Sequence, residues 1–316
     1  MITFDSHSTD PYYNLAFEEY IFTVFREEDV FLLWRNRPCV VVGNCQNICR
    51  EVKIWALRQR GIPVLRRISG GGAVYHDPGN VNYSLMTRQE GSGADYDRSL
   101  APILAAPHAM DVPAGKRRTC DLAIGEEKIS GSAQRMAGGR LLHHGTLLFD
   151  ADLAALEEIS VQGKNPCVQT RGTQSAICSV TNIRWHLAED MTTEEFQRRL
   201  LERMVPSPAD HLELTEAQRR EVCRLAEEKY RSWAWTWGKT PAFSYQRSGI
   251  FQGAPIAISY QSKKGILSEV KISSPLLDGD LAASLLNGAQ LDPENLEQIC
   301  RTLAGAEGHE LLPLLL

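Results

Sequence analysis

The sequence predicts an α+β protein, with a large unit over residues 1–244 and a small C-terminal αβ unit over residues 245–316. Three observations predict it. Short β-branched and aromatic runs, bounded by turn residues, recur between residues 30 and 149. Amphipathic stretches with a helical period lie between and after them. A break at Gly238-Lys239-Thr240-Pro241 then precedes a different pattern, a hairpin followed by helices, which places the boundary near residues 243–247. A chain of 316 residues is long enough for one large domain and a small one.

In chain order, Asn14 to Asp29 reads as a helix, with Phe17, Ile21 and Val24 on one face and Glu18 and Glu19 near its start. Val30–Trp34 and Cys39–Val42 are strands split by an Arg35-Asn36-Arg37-Pro38 turn. Glu51 to Arg60 is a helix closed by Gly61, with Pro63 beyond it. Strands follow at 63–66, 73–76 and 81–86, the last two separated by the Asp77-Pro78-Gly79-Asn80 turn. Ser99–Met110 is helical in spite of Pro102 and Pro107. Leu122–Ile124 and Lys128–Ser130 form a hairpin around Gly125-Glu126-Glu127. Leu141–Phe149 is a strand and Ala151–Ile159 a helix. Gln162 to Ser179 has no period and reads as a mobile loop, long enough to suggest a functional role. Helices are expected at 193–204 and 216–230. Trp233, Trp235 and Trp237 alternate as in a half-buried extended segment. The tail reads as a hairpin, Gly249–Tyr260 and Ile266–Ile272, then helices from Asp278 and Pro293, with the closing leucines packing as a helix end.

Hydrophobic content of 43% with 23% charged residues is ordinary for a soluble globular chain. A net charge of −5 and a pI near 5.9 supply neither a nucleic-acid surface nor an anionic-membrane surface. Met1 to Asp10 lacks the basic-then-apolar pattern of a signal peptide, and no apolar run approaches membrane-spanning length. The expectation is a cytoplasmic monomer with no nucleic-acid or membrane partner. The eight cysteines then read as free thiols, buried and structural in all but one case. No CxxC spacing supports a zinc site.

The segment Arg66 to Asn80 carries most of the chemistry. Three consecutive glycines (Gly70, Gly71, Gly72) follow Arg66, Arg67 and Ser69 and precede Ala73, Val74, Tyr75 and His76. A glycine triplet is costly to order, so a folded chain keeps it where backbone N–H groups must approach a ligand. Two guanidiniums at its mouth make that ligand an anion. A flexible hairpin tip is the plain alternative, though tight hairpins favour Asn-Gly or Asp-Gly. No Lys-Ser/Thr follows the glycines, which excludes a P-loop, and no helix follows them, which excludes a dinucleotide fingerprint. The anion is therefore expected on backbone borne by a sheet.

Lys128 opens a strand beside Gly131, and its ammonium can bridge a phosphate and a carboxylate. An edge lysine that discourages strand pairing is an equal reading of these residues alone. Asp121 suits a metal or ribose contact, or only a turn. His143 and His144 are adjacent in a strand and face opposite ways, so they cannot hold one metal together. One core and one surface histidine is the expectation, with at most one of them lining a pocket.

These segments, read together, resemble the lipoate–protein ligase A family. The resemblance rests on Arg-Arg-x-Ser-Gly-Gly-Gly-Ala-Val-Tyr-His-Asp-x-Gly-Asn at 66–80, Lys-Ile-Ser-Gly-Ser-Ala at 128–133 and His-His-Gly-Thr-Leu-Leu at 143–148. Leu33-Trp34-Arg35-Asn36, Gln46-Asn47, Ser179-Val180-Thr181-Asn182 and Trp233-x-Trp235 ahead of Pro241-Ala242-Phe243-Ser244 extend it, in order, from about residue 10 to 260. It implies the biotin/lipoate ligase catalytic fold, a mixed β-sheet with packed helices over 1–244, and an accessory domain over 245–316.

The activity implied uses ATP and Mg²⁺ to convert lipoic acid to lipoyl-AMP. The lipoyl group then passes to a lysine of a lipoyl domain, on a 2-oxoacid dehydrogenase E2 subunit or the glycine-cleavage H protein. Carried over by motif, Lys128 is the catalytic cation, set between the lipoyl carbonyl and the α-phosphate. Arg67, Ser69, Gly70, Gly71, Gly72, Ala73, Val74, Tyr75, His76, Asn80, Asp121, Gly131, His144, Gly145 and Thr146 would bind the acyl adenylate, and Asp121 is the one candidate for the metal.

Two departures stand out. Thr119-Cys120-Asp121-Leu122 replaces the Arg-Asn-Asp-Leu common in the family, and Lys116-Arg117-Arg118 lies close by, as compensation or as a plain solvated run. Asn165-Pro166-Cys167 resembles the cysteine segment of one branch of related acyltransferases. An ATP-independent lipoyl or octanoyl transferase working through Cys167, or a binding protein without turnover, therefore stand as alternatives.

Overall fold

The computed structural model describes residues 1–89, 95–160 and 165–316. Its frame is a six-stranded antiparallel sheet ordered Val30–Trp34, Asn80–Arg88, Arg140–Leu148, Glu127–Ala137, Asp121–Ile124 and Ala114–Arg118. The mixed pairing lies in a second, three-stranded sheet. There Cys39–Val42 runs parallel to Val64–Arg66 and antiparallel to Val74–His76. The glycine triplet is the connection between its two outer strands, so it is borne by a sheet, as the sequence required.

Both faces of the main sheet are covered, which explains why Val30–Trp34 reads as an unbroken apolar run. Phe31 and Leu33 pack on one side with Val81, Tyr83, Leu85 and residues of helices Tyr96–His108 and Thr193–Met204. Leu32 and Trp34 pack on the other with helix Pro11–Val24 and with Val41 and Leu65 of the small sheet. The helix opens at Pro11, three positions before the expected Asn14, because Asp10 caps the amide of Tyr12.

A third sheet is antiparallel and four-stranded: Val168–Thr170, Phe243–Phe251, Ala254–Lys263 and Ile266–Ser273. Phe243–Phe251 runs across position 244/245 and pairs with a strand from the large unit. Helices Gly279–Leu286, Pro293–Ala304 and Gly308–Leu315 complete this end, each of the first two capped by an aspartate, Asp278 and Asp292.

Several expectations need correction. The tryptophan run is a helix, Trp233–Thr236, capped by Ser232. Its alternation arises because Trp233 Nε1 donates to Leu291 O and Trp235 Nε1 to Arg66 O, two partners on different elements. The helix expected at 51–60 is two short ones, Ile48–Glu51 and Ile54–Gln59, with Gly61 at φ +64° behind the second. The long loop contains the strand Val168–Thr170, held by pairing that no local period reveals; Gln162, Gly163 and Lys164 of that loop lie outside the described residues. Only Cys39, Cys49 and Cys300 are buried, while Cys45 and Cys223 are exposed and Cys120, Cys167 and Cys178 half-buried. Among the described residues no helix is long and apolar enough to cross a membrane.

Candidate functional site

The glycine loop is shaped from within by one arginine. Arg67 is 7% exposed; its Nε donates to Ser69 Oγ (3.0 Å), Nη1 to Val41 O (3.2 Å) and Nη2 to Gly70 O (2.5 Å) and Gly72 O (2.8 Å). Gly71 takes φ +91°, and a Cβ there would stand 2.9 Å from Arg67 Nη2, so the tight wrap excludes a side chain. Burial lowers the Arg67 pKa to about 10, and the Glu18 carboxylate pushes it back up, so the cation persists at neutral pH. Arg66 is not at the mouth. It is fully buried on the other side of its strand, donating to Gly43 O, Gln46 O, Thr236 O and Thr240 Oγ1. Successive strand residues point to opposite faces, so only one guanidinium of the pair reaches the loop.

At the end of the triplet, the Ala73 amide donates to Ser175 Oγ (2.9 Å), which also accepts from Gln46 Nε2 (3.0 Å). The Ser175 amide in turn donates to Glu51 Oε2 (3.0 Å). A hydroxyl oxygen thus sits where the sequence calls for an anion's oxygen.

Lys128 borders the same cavity as this loop. Its Nζ lies 2.9 Å from Asp121 Oδ1, with the lysine side chain 24% exposed and the carboxylate 7%. Its backbone is fixed on both sides, donating to Ser179 O (2.9 Å) and accepting from the Thr181 amide (3.1 Å). The pairing Leu122↔Ser130 is followed by Ala123↔Lys128, which leaves Ile129 as an extra residue. This bulge turns Ile129 into the apolar core and brings Lys128 and Gly131 to one face, though a regular strand would oppose them. A Cβ on Gly131 would lie 2.7 Å from Lys128 Nζ, so the glycine makes room for the ammonium.

The two parts line one cavity of about 410 Å³. Of the expected site residues, Arg67, Gly71, Gly72, Ala73, Val74, His76, Asp121, Lys128, Gly131, His144, Gly145 and Thr146 border it. Ser69, Gly70, Tyr75 and Asn80 do not. Ser69 acts through His144, Tyr75 points the other way into the C-terminal apolar cluster, and Asn80 is buried against Asn82. The floor runs across the main sheet through the registers Trp34↔Asn82, Asn82↔Thr146, His144↔Ala133 and Gly131↔Asp121. Four inter-strand steps, about 19 Å in all, separate the strand of Trp34 from that of Asp121, and Lys128 lies at the Asp121 end.

A buried polar chain crosses beneath the loop. Glu18 Oε1 lies 2.7 Å from His144 Nδ1 and accepts from Ser84 Oγ, and His144 Nε2 lies 2.6 Å from Ser69 Oγ. Both histidines of the pair are buried, against the expectation of one at the surface. His143 sits on the opposite face between the rings of Tyr83 and Tyr96, and burial with the nearby His144 lowers its pKa to about 3. Helix positions Leu15 and Glu18, Ser175, and the strand residues Asn82 and Tyr83 also border the site. Ser175 lies in the loop whose length suggested a function; nothing in the sequence marked the others, since each comes to the cavity only through long-range packing.

The lipoyl protein ligase A/B catalytic domain profile matches residues 10–205. A lipoate–protein ligase of Staphylococcus aureus is 32% identical over 98% of this chain and 98% of its own length. One of Bacillus subtilis is 33% identical over 90% of this chain and 88% of its own. The chain belongs to the lipoate–protein ligase family. Among solved structures, a Plasmodium falciparum protein in complex with lipoate superimposes with a TM-score of 0.63 at 20% identity, covering 99% of this chain and 98% of its own. A bipartite ligase from Thermoplasma acidophilum gives 0.64 at 21% identity, covering 74% of this chain and 95% of its own. These two likenesses establish the fold.

In this lipoate–protein ligase chain the two departures fall in different places. Cys120 borders the cavity, its Sγ 3.6 Å from Asp121 Oδ1, and burial together with the Asp121 charge raises its pKa. Cys167 does not border it. That thiol packs against the cluster built from the C-terminal sheet and helices, and its backbone carbonyl accepts from the Gln246 amide.

Proposed function

We propose that this chain activates lipoate with ATP and transfers the lipoyl group to a protein lysine. The observation that carries the reading is the ammonium of Lys128, held against Asp121, in the cavity that Gly71, Gly72 and Ala73 also line. In the first half-reaction a lipoate carboxylate oxygen attacks the α-phosphorus of ATP and pyrophosphate leaves. Lys128 offsets the negative charge that gathers between acyl oxygen and phosphate, and loop amides donate to the phosphate oxygens. In the second, the acceptor amine attacks the acyl carbon and AMP leaves, with the same ammonium stabilising the oxyanion. Asp121 holds Lys128 in place before substrate arrives. Mg²⁺ commonly binds through one carboxylate plus substrate phosphates; Asp121 would hold it here, and the ion would supply charge neutralisation for the triphosphate.

We take the acceptor to be a lipoyl domain of a 2-oxoacid dehydrogenase E2 subunit or of the glycine-cleavage H protein; the Thermoplasma neighbour was studied with its E2 lipoyl domain. We assign residues 1–244 to catalysis and 245–316 to an accessory unit. The position of Cys167 away from the cavity removes support for a thioester route.

Pyrophosphate release with lipoate, ATP and Mg²⁺, followed by labelling of an apo lipoyl domain, tests the reading. Lys128→Ala should lower both half-reactions by roughly 10²–10³-fold with an unchanged melting temperature. Near wild-type release by that variant would remove the assignment.

A further inference from the structure

The outer edge of the main sheet carries the run Lys116-Arg117-Arg118, and its three cations have three different surroundings. Lys116 pairs with Asp97 of helix Tyr96–His108, on the side of the sheet where Leu122 enters the apolar core. Arg117 Nη2 lies 3.3 Å from Glu126 Oε2 in the hairpin turn. Arg118 borders the cavity, and among the described residues its guanidinium has no ion-pair or hydrogen-bond partner. A second bulge makes the difference. The pairing Lys116↔Leu122 is followed by Arg118↔Asp121, so Arg117 is the extra residue. Directly paired residues share a face, which puts Arg118 beside Asp121 on the cavity side. Without the extra residue it would point with Lys116 toward the helix. Asp121 in turn opposes Gly131, so two inter-strand steps, about 10 Å, separate the backbones of Arg118 and Gly131.

In-line displacement decides what a cation at that position meets. In the first half-reaction the attacking carboxylate oxygen and the leaving oxygen lie on opposite sides of the α-phosphorus. From Lys128 the cavity runs inward across the sheet to Trp34, which is the room available to an acid's chain. With the carboxylate entering from that side, the β- and γ-phosphates lie on the other, toward the outer strand Ala114–Arg118. We propose that Arg118 binds the β- and γ-phosphates of ATP and offsets the charge of pyrophosphate as it leaves. The new bond joins the carboxylate oxygen to the α-phosphorus. The bond from that phosphorus to the bridging oxygen breaks, its electron pair stays on pyrophosphate, and the Arg118 N–H groups donate to the oxygens that gain charge. A guanidinium suits this task, because its fork of donors matches phosphate oxygens and it keeps its proton throughout. The inference rests on the proposed ligase reaction and names the residue that receives its leaving group.

Calorimetry on the full chain with Mg²⁺ compares ATP with AMP, which lacks the β- and γ-phosphates. Arg118→Gln should weaken ATP binding about tenfold and AMP binding less than about twofold, and Arg118→Lys should recover part of the loss. Arg117→Gln, at a position that does not border the cavity, should leave both affinities unaffected. With lipoate and ATP, pyrophosphate release by Arg118→Gln should fall about tenfold or more, whereas transfer from supplied lipoyl-AMP to an apo lipoyl domain should change less than about twofold. Unchanged ATP affinity would overturn the assignment. So would an equal loss for ATP and AMP, which indicates a role in shaping the pocket, or a rise in KM for the lipoyl domain alone, which indicates a contact with the acceptor. A wild-type chain whose ATP affinity depends on Arg118, yet which releases no pyrophosphate, would support the phosphate contact and count against the ligase reaction alone.

Discussion

His143 illustrates how one buried side chain sets a property of the whole chain. Its Nδ1 accepts from Gln134 Nε2 (3.1 Å) and its Nε2 lies 3.4 Å from Tyr83 Oη, with its pKa held at about 3 against an ordinary 6.5. Between those values the unfolded chain takes up a proton that the folded chain refuses. The contribution to stability is therefore complete above pH 6.5 and is lost as the pH falls toward 3. His143→Gln should flatten the acid limb of a urea-denaturation pH profile by about 1.4 kcal/mol per pH unit, leaving the part due to His76, whose pKa burial also lowers to about 3. An unchanged slope would show that the ring is solvated. At this scale the sequence was informative about residue type and less so about direction. Lys128 and Gly131 were recognisable, yet Arg66 and Arg67 looked equivalent until strand alternation placed one in the core and the other under the loop.

At the scale of elements, two glycines of the main sheet do different work and give opposite predictions. A Cβ at Gly131 meets the mobile end of Lys128, whereas one at Gly145 meets Tyr83 Oη at 2.6 Å and the backbone oxygen of Gly131 at 2.7 Å. Gly131→Ala should displace the ammonium, lowering pyrophosphate release by about 10²-fold with little change in melting temperature. Gly145→Ala should instead destabilise the fold by about 1–3 kcal/mol, read by urea denaturation. Retained activity in the first or full stability in the second would contradict the packing described. Most strands and helices were legible because local pattern and tertiary role agree. The bulge at Ile129 was not, nor was strand Val168–Thr170, because both depend on a partner strand distant in sequence.

For the whole molecule, the largest apolar cluster joins parts that the sequence separates. Val40, Val42 and Tyr75 of the small sheet share it with Phe251, Ile258, Leu286, Cys300 and Leu312. Tyr245 and Tyr260 close it by donating to Leu314 O and Leu315 O, each at 2.8 Å. So small a tail is marginal as an independent folding unit, but periodicity could not reveal which surface it would pack on. Leu312→Ala should cost about 2–5 kcal/mol and loosen Tyr75, the residue between Val74 and His76 of the cavity wall. Measured at rising temperature, activity should fail before secondary structure is lost, while a rise in acid KM at low temperature would place Leu312 in direct control of substrate. In a genetic screen, inactivating alleles scattered through the tail would then resemble damage to a recognition surface. Growth in the cold should rescue them, which distinguishes a loosened foundation from a broken contact.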